Sequence, residues 1–144
     1  ISGGCQCGAV RYEVRDCGDE AYWCHCRMCQ KATGGIAAAF VQVPRANVRW
    51  LSAPDWYQSS PIARRPFCSR CGTPLGFDFI RQGDDIDLSV GSFDDPSRFR
   101  PILHAGSESI HEAWLDTRHL PRHYSASTRS VADRWAEAGL EVPE

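Results

Sequence analysis

The spacing of the cysteines constrains this chain more than any other feature. Eight of them occur in 144 residues, at Cys5, Cys7, Cys17, Cys24, Cys26, Cys29, Cys68 and Cys71. Eight thiols could form disulfides in about 105 ways, yet the spacing argues for another use. Cys5-Gln6-Cys7 and Cys24-His25-Cys26 each put two sulfurs on one face of an extended segment, because side chains alternate along a strand. Close pairs of this kind converge on one metal ion. No signal-peptide pattern is visible, although Ile1 is not a natural start. The expected compartment is the cytoplasm, where clustered cysteines stay reduced and serve as metal ligands more often than as disulfides.

Cys68-Ser69-Arg70-Cys71-Gly72 reads as a zinc knuckle: two cysteines around a tight turn, then a glycine that can take positive φ. It offers two ligands where tetrahedral zinc needs four. Two clusters compete to complete it. The simplest partition puts Cys5, Cys7, Cys68 and Cys71 around one zinc and Cys24, Cys26 and Cys29 around another. A four-thiolate site is closed and structural, whereas a three-thiolate site keeps one position open, as catalytic zinc does. Cys17, in the turn Asp16-Cys17-Gly18-Asp19, is left over as a free thiol in a loop, with closure of the open zinc as its other reading.

The rest of the chain reads as one mainly β domain. Turn residues recur about every ten positions, among them Gly34-Gly35, Ala53-Pro54, Gly83-Asp84-Asp85 and Asp94-Asp95-Pro96. Val10, Tyr12 and Val14 alternate with Arg11, Glu13 and Arg15; Phe77 and Phe79 flank Asp78; Ile86, Leu88 and Val90 alternate with Asp87 and Ser89. Many short antiparallel strands are expected, with Ile36 to Val43 as a fully buried one. Residues 27 to 33 read as a short helix stopped by Gly34-Gly35. A second helix over 128 to 138 would be capped by Ser127 or Thr128, closed by Gly139, and packed on the sheet through Trp135. The domain is expected over residues 1–125, with the C-terminal helix and tail over 126–144 packed on it or trailing it. A net charge of -2 argues against a nucleic-acid module. No apolar run is long enough to span a bilayer.

The order C-x-C, C-H-C-x-x-C, C-x-x-C-G resembles the glutathione-dependent formaldehyde-activating enzyme family. The likeness extends beyond the cysteines. It takes in Cys24-His25-Cys26-Arg27-Met28-Cys29-Gln30-Lys31-Ala32-Thr33-Gly34 and Phe67-Cys68-Ser69-Arg70-Cys71-Gly72-Thr73-Pro74-Leu75. It also takes in Val90-Gly91-Ser92-Phe93-Asp94-Asp95-Pro96, Pro101 to His104, and Leu120-Pro121. The resemblance covers roughly residues 3 to 123. It implies a β-tent fold, small antiparallel sheets hinged around a structural zinc held by Cys5, Cys7, Cys68 and Cys71. It implies a second zinc on Cys24, Cys26 and Cys29; because three ligands hold zinc less firmly than four, partial occupancy is expected there. The implied activity joins formaldehyde and glutathione into S-hydroxymethylglutathione or splits that adduct, a carbon–sulfur lyase reaction with a small thiol and an aldehyde as partners. In that reading Cys24, Cys26 and Cys29 act catalytically as ligands of the open zinc.

Other residues have plainer readings. His25, between two cysteines, should point away from their sulfurs as a structural group. His104 and His111 are candidates for a pocket wall, with packing or hydrogen bonding as the plainer role. Arg27 and Lys31 flank Cys29 and could hold the carboxylates of a tripeptide, or simply form an exposed helix face. Asp94 and Asp95 should make an Asx-type turn before Pro96. A rival function is a non-catalytic zinc module that binds a partner protein. A thiol-redox reading of Cys26 and Cys29 lacks the surrounding βαβ pattern.

Overall fold

In this computed structural model, which describes residues 1–81 and 83–143, the alternating segments become strands. In chain order the elements are β1 (Ser2–Gly4), β2 (Arg11–Val14), β3 (Glu20–Cys24), α1 (Arg27–Thr33), β4 (Ala38–Pro44), β5 (Val48–Trp50), β6 (Asp55–Ser60), β7 (Ala63–Phe67), β8 (Gly76–Phe79), β9 (Asp85–Ser89), β10 (Arg100–Ala105) and α2 (Arg129–Glu137). The fold is mainly β, with two sheets and two helices. One sheet has three strands in the order β1-β2-β5, and the other has seven in the order β10-β3-β4-β9-β8-β7-β6.

Two compact units divide the chain, Ile1–His111 and Glu112–Glu144. Both sheets and α1 belong to the first. Its main core joins the two sheets: Val10, just before β2, with Tyr12 and Val14 of the smaller sheet, meets Val41, Val43, Ile86 and Leu88 of the larger. The alternation in β2 therefore does what it implies, with Tyr12 sealed and Arg11 and Glu13 half-exposed. In the second unit, short 3-10 turns precede α2. None of its described residues is buried; Val131 and Trp135 are half-covered. Thr128 stands at the start of α2, but its hydroxyl donates to Tyr124 O instead of capping the helix.

Three features depart from the sequence reading. The strands are not all antiparallel, because β10 pairs with β3 in parallel. A hairpin forces antiparallel pairing, but β10 reaches β3 only after the rest of the large sheet is built, and so long a connection permits the parallel arrangement. The buried strand β4 begins at Ala38, leaving Ile36 exposed. In β8 the polarity is reversed: Asp78 is fully buried and Phe79 is 45% exposed. Two arginines explain the reversal, since Arg45 and Arg64 reach the two Asp78 carboxylate oxygens at 2.5 and 2.8 Å. A buried carboxylate is tolerable when it is paired in this way.

Candidate metal centres

The two sheets meet at the first cysteine group. Cys5 and Cys7 follow β1 of the small sheet, and Cys68 and Cys71 follow β7 of the large one. Their four sulfurs all lie within 4.8 Å of one another. Cys7 Sγ is 3.6 Å from Cys5 Sγ and 3.8 Å from Cys68 Sγ. Tetrahedral zinc with Zn–S of about 2.3 Å sets its sulfurs about 3.8 Å apart, so this donor set fits such an ion. Local backbone builds the cradle. Gly72 N–H donates to Cys68 O, closing the knuckle, and Gly72 has φ +79. Val10 N–H donates to Cys5 Sγ, and Gln6 N–H donates to Thr73 Oγ1 across the sheets. Hydrogen bonds from the Thr73 hydroxyl and backbone lower the Cys71 thiol to about 5.

The second group lies on the opposite face of the large sheet, under α1. Cys24 ends β3, Cys26 caps α1, and Cys29 is buried in the first turn of that helix. The three sulfurs lie within 4.8 Å of one another, with Cys24 and Cys26 3.6 Å apart. Among the described residues no fourth histidine, cysteine or acid joins them. The Cys26 sulfur also accepts the Cys29 N–H at 3.4 Å, so one atom both caps the helix and faces the triad. Gly34 closes the helix in the left-handed region, its N–H bonded to Gln30 O. Both cysteine groups have the donor chemistry and spacing of metal sites and are consistent with zinc.

Electrostatics single out Cys29. Hydrogen bonding with Cys24, reinforced by Arg65 and opposed by burial, brings its thiol down to about 5. The Cys24 thiol moves upward in response, because it shares its hydrogen bond with that anion. Arg65 Nη2 donates to Cys29 Sγ at 3.4 Å. Around the triad pack Ala38, Phe40, Tyr22 and Phe77. Tyr22 donates its hydroxyl to Asp87, whose burial pushes the carboxyl up to about 6.

The remaining candidates separate from the sulfurs. His25 is buried and lies 2.8 Å from His104, Nε2 to Nδ1. His111 is exposed. Arg27 and Lys31 are exposed on α1, and the Arg27 guanidinium donates to Gln30 Oε1. Cys17 packs against the main core, and burial raises its thiol pKa. None of the eight cysteines is disulfide-bonded. Asp95 makes the expected turn by accepting Ser97 N–H, but Asp94 instead forms a two-pronged pair with Arg11.

Sequence reasoning missed Gln30, Arg65 and Gly106. The Gln30 side-chain amide donates to the carbonyls of His25 and Ser109, tying α1 to the chain beyond β10. Arg65 carried a faint signal, a cation inside an otherwise strand-like approach to the knuckle. Gly106 carried none, because its neighbour in space is Cys26.

The sequence model described as glutathione-dependent formaldehyde-activating enzyme matches residues 1–109. This chain belongs to that family. The match spans both cysteine groups and all ten strands of the first unit. A crystal structure of a Rhodobacter sphaeroides protein is similar in fold, with a TM-score of 0.58 and 22% identity over 73% of this chain and 100% of that one. No curated protein matches the chain. No helix among the described residues is long and apolar enough to cross a membrane.

Proposed function

We propose that this chain is a zinc-dependent carbon–sulfur lyase of the cytoplasm, acting on S-hydroxymethylglutathione or a related adduct of a small thiol and an aldehyde. The observation that carries this reading is the triad of Cys24, Cys26 and Cys29, which has no fourth protein donor among the described residues. Zinc held there would supply a Lewis-acid centre that keeps a sulfur deprotonated. In the splitting direction the C–S bond would break with its electron pair staying on sulfur, and the adduct hydroxyl would release its proton to solvent as the aldehyde carbonyl forms.

The protein's own part is positioning. Cys24 is fixed by the β3–β4 pairing, where it stands opposite Ala38. Cys26 and Cys29 are fixed by the first turn of α1. Arg27 and Lys31, exposed on that helix, are the groups we assign to the carboxylates of a thiol tripeptide. The group of Cys5, Cys7, Cys68 and Cys71 would hold the structural zinc and so clamp the two sheets together.

The test is turnover of a panel of thiol–aldehyde adducts by protein whose metal content is measured on the same preparation. The reading requires turnover that rises and falls with occupancy of the triad. Full occupancy of both sites with no turnover of any adduct overturns it in favour of a partner-binding zinc module.

A further inference from the structure

Arg65 is buried, 7% exposed, on β7. Its neighbour Arg64 turns to the other face and pairs with Asp78, as strand alternation requires. Arg65 has no such carboxylate: among the described residues no acid forms an ion pair with it. Its guanidinium carbon lies 5.0 Å from the centre of the Phe77 ring, Nη2 donates to Cys29 Sγ, and Nε is buried without a hydrogen-bond partner. A guanidinium remains charged throughout the accessible pH range, and a buried charge needs a counter-charge. The sulfur of Cys29 is the contact that can provide it.

From this placement we infer that Arg65 is the built-in counter-ion of the cysteine triad, a positioning residue that makes the site able to accept an anionic sulfur ligand. The inference rests on the functional reading above. Three thiolates and a dication carry one net negative charge, which the guanidinium offsets. A fourth, thiolate ligand then leaves the metal, its sulfurs and the guanidinium with one net negative charge instead of two. The hydrogen bond to Cys29 also withdraws charge from one donor and fixes its direction, as outer partners of metal ligands do. Phe77 holds the cation in place by a contact that needs no compensating anion.

Cobalt(II) titration tests this without reference to turnover, because sulfur-to-cobalt absorption counts thiolates at each site. Wild type should load two sites, and an added thiol, 2-mercaptoethanol, should perturb the spectrum of the triad alone. Arg65→Gln removes the charge and should weaken cobalt binding at the triad by roughly 10–100-fold, the usual effect of losing an outer partner. It should also weaken the response to thiol, with the four-cysteine site unchanged as internal control. Arg65→Lys keeps a cation but loses the planar fork that stacks on Phe77, so it should bind cobalt at the triad less tightly than wild type and more tightly than Arg65→Gln, a ranking that a purely packing role does not give. Equal triad affinity in wild type and Arg65→Gln overturns the role of Arg65 and leaves the lyase reading standing. A wild-type triad that binds no cobalt overturns both. Should Arg65→Gln also lose the four-cysteine site through misfolding, Arg65→Lys decides: a loss at the triad beyond roughly 100-fold with the four-cysteine site still loaded, as large as losing the outer partner altogether, overturns the inference, and a smaller loss supports it.

Discussion

Gly106 lies directly against Cys26. A Cβ at position 106 would sit 2.7 Å from the Cys26 amide nitrogen and 3.1 Å from its Cβ, and Gly106 has φ +64. One residue earlier, Ala105 O accepts the His25 N–H at 2.8 Å. The end of β10 therefore supports the segment that presents the triad, and this contact ties the parallel edge strand to the site.

Gly106→Ala should loosen that support. A side chain in the left-handed region costs about 1–3 kcal/mol, and here it also collides with backbone. A lowered melting temperature, with metal lost from the triad before the four-cysteine site, is the expected result. Melting and metal content equal to wild type would show that β10 does not support the triad.

Cys68→Ser should unfold the first unit, since metal binding at a closed site is folding free energy. Cys68 is 1% exposed and lies at the junction of the two sheets, so the hydroxyl leaves a clamp with three strong donors. Thermal melts with and without a strong chelator check this: the variant should melt far below wild type, and chelator should reproduce the effect in wild type. A variant that melts like wild type with full zinc content removes the structural role.

Cys26→Ser should behave oppositely. Serine is a good N-cap, so α1 keeps its first turn. The hydroxyl is a poor donor to a borderline-soft dication, so the triad loses its metal. Turnover of thiol adducts should fall by orders of magnitude while the melting curve barely moves. Arg27→Ala, by contrast, should raise KM and leave kcat, as expected of a group that binds substrate and transition state equally. Unchanged turnover in a folded Cys26→Ser protein with an empty triad would falsify the zinc–thiolate chemistry.

Asp87 should give stability a characteristic pH dependence. Burial first, then the nearby charges of Asp85, Asp78 and Cys29, raise its carboxyl to about 6, against the pull of the Tyr22 hydroxyl. The folded state thus holds the proton more tightly than the unfolded chain does. The stabilisation is complete below about pH 4 and is lost as pH rises through about 6. Two pKa units correspond to about 3 kcal/mol. Asp87→Asn keeps an oxygen for Tyr22 and removes the ionisation. The variant should become more stable relative to wild type as pH climbs from 4 to 7, read from denaturant midpoints. Parallel curves for the two proteins would refute the assignment.

Much of the molecule is local in origin and could be read along the chain. The knuckle Cys68 to Gly72, the Gly34 stop of α1, the alternation of β2 and the Asx turn at Asp95 each depend on residues a few positions apart. So do the two cysteines of each C-x-C pair. The sequence by itself therefore determined the mainly β character, the short helix after the second cluster and the chemistry of the thiols. The partition of seven cysteines into a group of four and a group of three was legible too, from coordination number. Tertiary structure alone decided other long-range meetings: β10 beside β3 and Gly106 against Cys26. It also decided the fate of charge. Asp78 is buried where Arg45 and Arg64 reach it, and Arg65 is buried with Cys29 and Phe77 as its contacts. The cost of burying a charge depends on a partner brought in by folding, and no pattern of neighbours along the chain carries that information.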